Sequence, residues 1–257
     1  MKLTDTHAHL DFEQYDTDRE QVCLRASTEL HAVINVGVDP ISAQKCLDLS
    51  NKYRNFYAAV GWHPNSADEY NPLGWVKIEQ LARNARTVAI GETGLDFFHH
   101  TPIALQESLF GKHLQLASEL KKPIIIHCRQ ATTELITFLQ KWQESAQLPT
   151  GVVHCFAEEM SIAQTYLEMG FYIALGGVVT FKQATSLLPM VKALPLNRLL
   201  LETDCPFLAP QLLRGKRNEP AYIYQTADFI AKVRGIDYDT LAQQTTQNAC
   251  RLFNLSA

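Results

Sequence analysis

The chain has 257 residues, 46% of them hydrophobic, and a formal net charge of −4. That length suits one large α/β domain over residues 1–257, because barrels of this class run near 250 residues as a unit and no Gly/Ser/Pro-rich linker divides the chain. The mild acidity excludes the broad Lys/Arg surface that coats long duplexes, and no apolar run reaches the roughly 18–20 residues of a membrane span.

In chain order, eight short apolar runs alternate with longer amphipathic stretches. The runs are Leu3–His7, Ala32–Val38, Phe56–Trp62, Val88–Glu92, Pro123–His127, Gly151–Cys155, Phe171–Gly176 and Leu199–Asp204. Helical patterning occupies 17–29, 41–52, 73–84, 103–120, 131–146, 159–169, 184–194, 221–234 and 238–253. Near-continuous apolar strands imply a parallel sheet covered on both faces. Eight strand–helix units predict a (β/α)8 TIM barrel. An open doubly wound sheet is the alternative, but no glycine-rich phosphate loop follows the first run.

Active sites of such barrels lie at the C-terminal ends of the strands, and there the runs turn polar. Run one ends in "HAH" (His7, His9), run three in "GWHP" (His63) and run four in "GETG" (Glu92). Runs five, six and eight end in His127, His154 and Asp204. An ionisable side chain closing so apolar a run needs a partner. Imidazole and carboxylate donors suit Zn²⁺, Mn²⁺ or Fe, and there are too many for one tetrahedral ion. They suffice for two divalent ions sharing a bridging carboxylate about 3.5–4 Å apart.

Cys128, Cys155 and Cys205 each follow a candidate ligand. Strand alternation turns them away from the ligand face, toward the helices, as small buried hydrophobes. Six widely spaced cysteines without C-x-x-C, and an N-terminus without a signal peptide's apolar core, predict a reducing cytoplasm. Asp5 shares the parity of His7 and His9 but lies deeper, where it would support a ligand. Asp11 reads as a loop or helix cap.

With these residues assembled, the chain resembles the TatD family of metal-dependent hydrolases and deoxyribonucleases. The motifs that carry the resemblance are "DTHAHLDF" at 5–12, "GWHP" at 61–64, "AIGETGLDF" at 89–97, "IIIHCRQA" at 124–131, "VVHCF" at 152–156, "LLLETDCPFLAP" at 199–210 and "RNEPAYI" at 217–223. The resemblance implies that His7 and His9 hold a first metal and that Glu92 bridges. It implies His127 and His154 as ligands of a second metal, and Asp204 as the catalytic aspartate touching the first. His63 matches a histidine near the substrate phosphate. One departure is "HCFAEEM", where family members continue with Gly, Ser and Thr. It puts Glu158 and Glu159 near the rim, and such charges repel an anion there.

The expected activity is two-metal hydrolysis of a phosphodiester, with Asp204 taking the water's proton. Zn, Mg and Mn all remain candidate ions. The expected substrate is single-stranded DNA trimmed by a monomeric enzyme, and the resemblance suggests the 3′ end. Arg214, Lys216 and Arg217 form a basic cluster after the last strand, and Arg129 follows His127 by two residues, so both are candidates to meet phosphates. Phe97 and Phe98, beside His99 and His100, either stack on a base or pack under their loop. The rival readings are a barrel hydrolase of a small amide, lactone or other ester, and a barrel that only binds a partner.

Overall fold

The computed structural model describes residues 1–255. In chain order it comprises β1 (Thr4–Ala8), α1 (Arg19–Glu29), β2 (Ala32–Val36), α2 (Pro40–Lys52), β3 (Phe56–Val60), α3 (Pro72–Ala82), β4 (Thr87–Asp96), α4 (Ile103–Leu120) and β5 (Ile124–Arg129). There follow α5 (Thr132–Gln143), β6 (Gly151–Val153), α6 (Met160–Glu168), β7 (Tyr172–Leu175), α7 (Leu188–Ala193), β8 (Leu199–Leu201), α8 (Ile223–Arg234) and α9 (Tyr238–Phe253). The eight strands lie side by side in chain order, and each neighbouring pair is parallel. The ring closes just past the strand ends. Ala8 bridges Cys205, Asp204 N–H donates to His7 O at 2.9 Å, and His9 N–H donates to Cys205 O at 2.8 Å. This is the (β/α)8 barrel.

Parity along the strands positions the site. Ile125, Val152 and Leu200 belong to one buried cluster with Ile34, Ala59, Ala89 and Ala174, while Ile124, Ile126, Val153, Leu199 and Leu201 belong to another. Successive side chains alternate between the barrel interior and the helix layer. His127, His154 and Glu202 therefore stand two residues above interior positions and inherit that direction. Ala249, Leu252 and Phe253 of α9 join the interior cluster at the strand starts, where Asn248 Nδ2 donates to Leu199 O at 2.9 Å. The barrel is thus packed below and polar above.

β4 departs from the sequence expectation, which ended it at Glu92. It continues to Asp96, pairing with β5 through Thr93–Ile126 and Asp96–Arg129 after a shift of register beyond Ile90. Gly94 allows this, because a Cβ there would stand 2.1 Å from His127 O and its φ is +140°. Only glycine tolerates both conditions. The extension carries one more acid to the barrel mouth. Among the described residues, no helix is long and apolar enough to cross a membrane.

Candidate metal centre and catalytic cavity

Five imidazoles surround the buried carboxylate of Glu92. Its Oε2 lies 3.3 Å from His7 Nε2 and 3.7 Å from His9 Nε2, while Oε1 lies 2.7 Å from both His127 Nδ1 and His154 Nε2. The two oxygens thus face two separate nests. Asp204 Oδ1 completes the first, 3.8 Å from His7 Nε2 and 3.5 Å from His9 Nε2. Within the nests, His7 and His9 present their nitrogens to each other at 3.1 Å, and His127 and His154 do so at 3.2 Å.

These distances test whether metal fits. Atoms about 2.0–2.1 Å from one tetrahedral ion stand roughly 3.3 Å from each other. The edges of the first nest scatter around that value. The outer ring atoms set the tautomers. His9 Nδ1 contacts Val36 O at 2.9 Å, so the neutral ring carries its hydrogen outward and turns a lone pair inward, whereas His127 lies between two carboxylates, its Nε2 3.0 Å from Asp96 Oδ2 and its Nδ1 2.7 Å from Glu92 Oε1. Burial opposes ionisation of Glu92, but His154, His63, His7 and the bond from His127 outweigh it and hold the carboxyl well below its usual range. Burial likewise opposes the charge on His9, yet Asp204 and Glu92 raise it to about 9. A field that holds a proton so firmly also attracts a metal cation.

His63 plays a different part. Its Nδ1 accepts from Asn65 N–H at 3.1 Å, so its hydrogen sits on Nε2, 3.4 Å from Glu92 Oε1. It offers a donor to the cavity rather than a lone pair. Asp5 lies beneath the first nest. Its Oδ1 accepts from His7 N–H at 3.2 Å and Thr203 N–H at 2.9 Å, and so ties β1 to the segment after β8.

Two functional acids escape a reading by strand ends. Asp96 orients His127, and Glu202, wholly buried, accepts from Cys155 N–H and lies 3.7 Å from His154 Nδ1. Both share the parity of an acid already singled out, Glu92 and Asp204 respectively, and that parity was the available signal. The amide of Asn218 is a buried clamp. Its Nδ2 donates to Thr203 O at 2.9 Å and Phe207 O at 2.7 Å.

Above the nests opens a cavity of about 830 Å³, whose lining includes His63, Asp96, His99, Arg129, Glu158 and Phe207. Arg129 lies with its guanidinium 3.7 Å over the exposed ring of Phe98. Phe97 instead packs against the core. Glu158 reaches the lining and accepts from Thr132 Oγ1, whereas Glu159 precedes α6 and accepts from Ser161 Oγ at 2.7 Å.

The arginines of the basic cluster are engaged within the protein. Arg217 does not line the cavity. It pairs in a fork with Asp18 at 2.8 and 2.7 Å, donates to Gln14 O at 2.6 Å, and covers the ring of Tyr15. Arg214 stacks on Phe181 at 4.3 Å. This loop folds back onto the segment that leads from β1 into α1. The cysteines also divide. Cys128 Sγ faces Thr132 Oγ1 at 3.7 Å while the residue also borders the cavity, and Cys205 is fully buried. Cys155 lies beyond the end of β6 with φ +49°, so strand alternation does not govern it. It lines the cavity, and burial with Asp204 and Glu202 nearby raises its thiol well above the usual range. Without a metal cation beside it, the thiol keeps its proton.

The family model for TatD related DNase matches residues 4–254. The chain belongs to the TatD family. Among its TatD relatives, an uncharacterized metal-dependent hydrolase, YabD of Bacillus subtilis, is 42% identical over 99% of this chain and 100% of its own length. The 3′-5′ ssDNA/RNA exonuclease TatD of Klebsiella pneumoniae is 34% identical, with 98% of each chain covered. The crystal structure of YJJV, a TatD homolog from Escherichia coli, superposes with a TM-score of 0.91 at 30% identity, covering 99% of this chain and 98% of that one. The protein is accordingly a metal-dependent hydrolase of this family.

Proposed function

We propose that the protein hydrolyses phosphodiesters and trims single-stranded DNA from its 3′ end. One observation carries the reading: the Glu92 carboxylate is shared between two donor nests on the floor of a cavity whose walls offer donors suited to phosphate. His7, His9, Glu92 and Asp204 would hold one divalent ion, and Glu92, His127 and His154 a second. When bound, such ions activate water and polarise the scissile phosphoryl oxygen. Zn, Mg and Mn all suit these donors.

The chain's own groups do the rest. Asp204, kept ionised by His9 and His7 despite its burial, accepts the proton of the attacking water. His63 donates its Nε2 hydrogen to a non-bridging phosphoryl oxygen. Arg129 has no hydrogen-bond partner for its guanidinium among the described residues, so its fork is free for a neighbouring phosphate. Similarity to the 3′-5′ ssDNA/RNA exonuclease of Klebsiella supports the single-stranded substrate and the 3′ polarity. Free thiols at all six cysteines support the reducing cytoplasm as its location.

The test combines elemental analysis with digestion. Protein reconstituted with Mn²⁺, Mg²⁺ or Zn²⁺ is expected to bind close to two equivalents. It should shorten 3′-labelled single strands stepwise and leave a circular single strand intact. Rapid cutting of the circle would refute end-trimming. Inertness toward every nucleic acid, with turnover of a small lactone or amide, would refute the phosphodiester reading.

A further inference from the structure

We infer that Phe207 forms a nucleobase-stacking subsite beside the first nest, facing a second planar wall across the barrel mouth. The inference rests on the phosphodiester reading and adds where the bases go.

Phe207 lies three residues after Asp204, lines the cavity and is 45% exposed. Phe12, three residues after His9, braces it edge-on with ring centroids 6.0 Å apart and itself lies flat on the His9 ring at 4.7 Å. The platform is held firmly. Phe207 N–H donates to Asp204 O at 3.0 Å, and its carbonyl accepts from the buried Asn218. The next residue, Leu208, seats its carbonyl where a Cβ on Gly177 would stand 2.1 Å away, so only glycine at 177 leaves room for it. A half-exposed aromatic ring on so well-anchored a backbone is set up to be covered by a flat partner.

The opposite wall identifies that partner. In an eight-stranded ring the β8–β1 seam lies four strands from the β4–β5 seam in either direction. Phe207 belongs to the first seam. Arg129, stacked on Phe98, belongs to the second. Two planar faces thus stand on opposite sides of a charged floor. A phosphodiester within a strand matches this arrangement, since it carries one base on each side of the phosphate. A small lactone or amide has nothing to lay on both.

The test uses single-stranded oligonucleotides that differ only by one abasic residue, placed at the terminal or the penultimate position. For the wild-type enzyme, kcat/KM should fall about tenfold when one of these bases is missing. Phe207→Ala should erase that preference through KM, Phe207→Trp should keep it, and metal content should be unchanged in both. Phe207→Leu preserves bulk without a planar face and serves if the alanine variant folds poorly. If wild type degrades the strands with no base preference, or Phe207→Ala retains it, the subsite is refuted while the phosphodiester reading stands. If wild type degrades no strand, both fall.

Discussion

His113 and the five histidines around Glu92 show two ways of burying an imidazole. In α4, His113 accepts from Trp62 N–H at 2.9 Å through Nε2 and contacts Leu109 O at 2.8 Å through Nδ1. Both nitrogens are satisfied by backbone, and burial lowers its pKa to about 4. At the barrel mouth the nitrogens face each other and a carboxylate instead. The first arrangement is satisfied by backbone on both sides, whereas the second turns ring nitrogens from several strands toward one shared carboxylate. Burial alone does not separate a structural histidine from a functional one, but the partner of each ring nitrogen does.

The largest effect should come from removing the shared carboxylate. Glu92→Gln keeps the shape but takes one anionic oxygen from each nest. It should lower kcat by at least about 10³-fold, or roughly 4 kcal/mol. Metal content should drop at both nests together. Loss of one equivalent with the other retained would show that Glu92 serves a single ion.

His113 should speak through stability alone. Its folded pKa of about 4 lies below the ordinary imidazole value of 6.5, so the unfolded chain binds the extra proton first as pH falls. The contribution is fully present above pH 6.5 and is lost as pH falls through 4, amounting to about 3 kcal/mol at most. In metal-free protein, His113→Gln should therefore flatten the fall in melting temperature over that window. Parallel curves for wild type and variant would place the acid sensitivity elsewhere.

The same division explains what the sequence could disclose. His7, His9, His127, His154 and Asp204 were readable because a strand end fixes direction by parity, and each closes a run too apolar to carry it otherwise. Asp96 was hidden because β4 runs four residues past Glu92, a length set by glycines at close contacts with β5. Glu202 was hidden beside a more conspicuous aspartate of the same parity. The charges of "RGKRNEP" were visible but their partners were not, because Asp18 and Phe181 become neighbours only once the loop has folded. Position along a strand is local information, whereas the partner of a loop arginine is not.

Two arginines sharpen the contrast at a smaller scale. Arg129, exposed at the end of β5 and held against Phe98, should act through binding. Arg129→Ala should raise KM for oligonucleotides about tenfold, or roughly 1.4 kcal/mol, with kcat little changed, and should make binding less sensitive to salt. An unchanged KM would mean that its fork meets no phosphate.

Arg217 should show the opposite pattern. Its guanidinium holds Asp18 and Gln14 O and covers Tyr15, which ties the loop after β8 to the start of α1. Burial and the Asp18 carboxylate act in opposite senses on Arg217, and the hydrogen bond to Asp18 prevails, raising its pKa. The pair is about one-third exposed on each side, so solvent screens much of that attraction. Arg217→Ala should therefore cost only about 0.5–1 kcal/mol, seen as a fall of roughly 2–3 °C in melting temperature. Oligonucleotide KM should stay at the wild-type value, as it should for Lys216→Ala, whose side chain is likewise outside the cavity lining. A KM increase in Arg217→Ala matching that of Arg129→Ala, without a change in melting temperature, would return this arginine to the substrate path. It would also show that the Asp18 pair opens when a strand arrives.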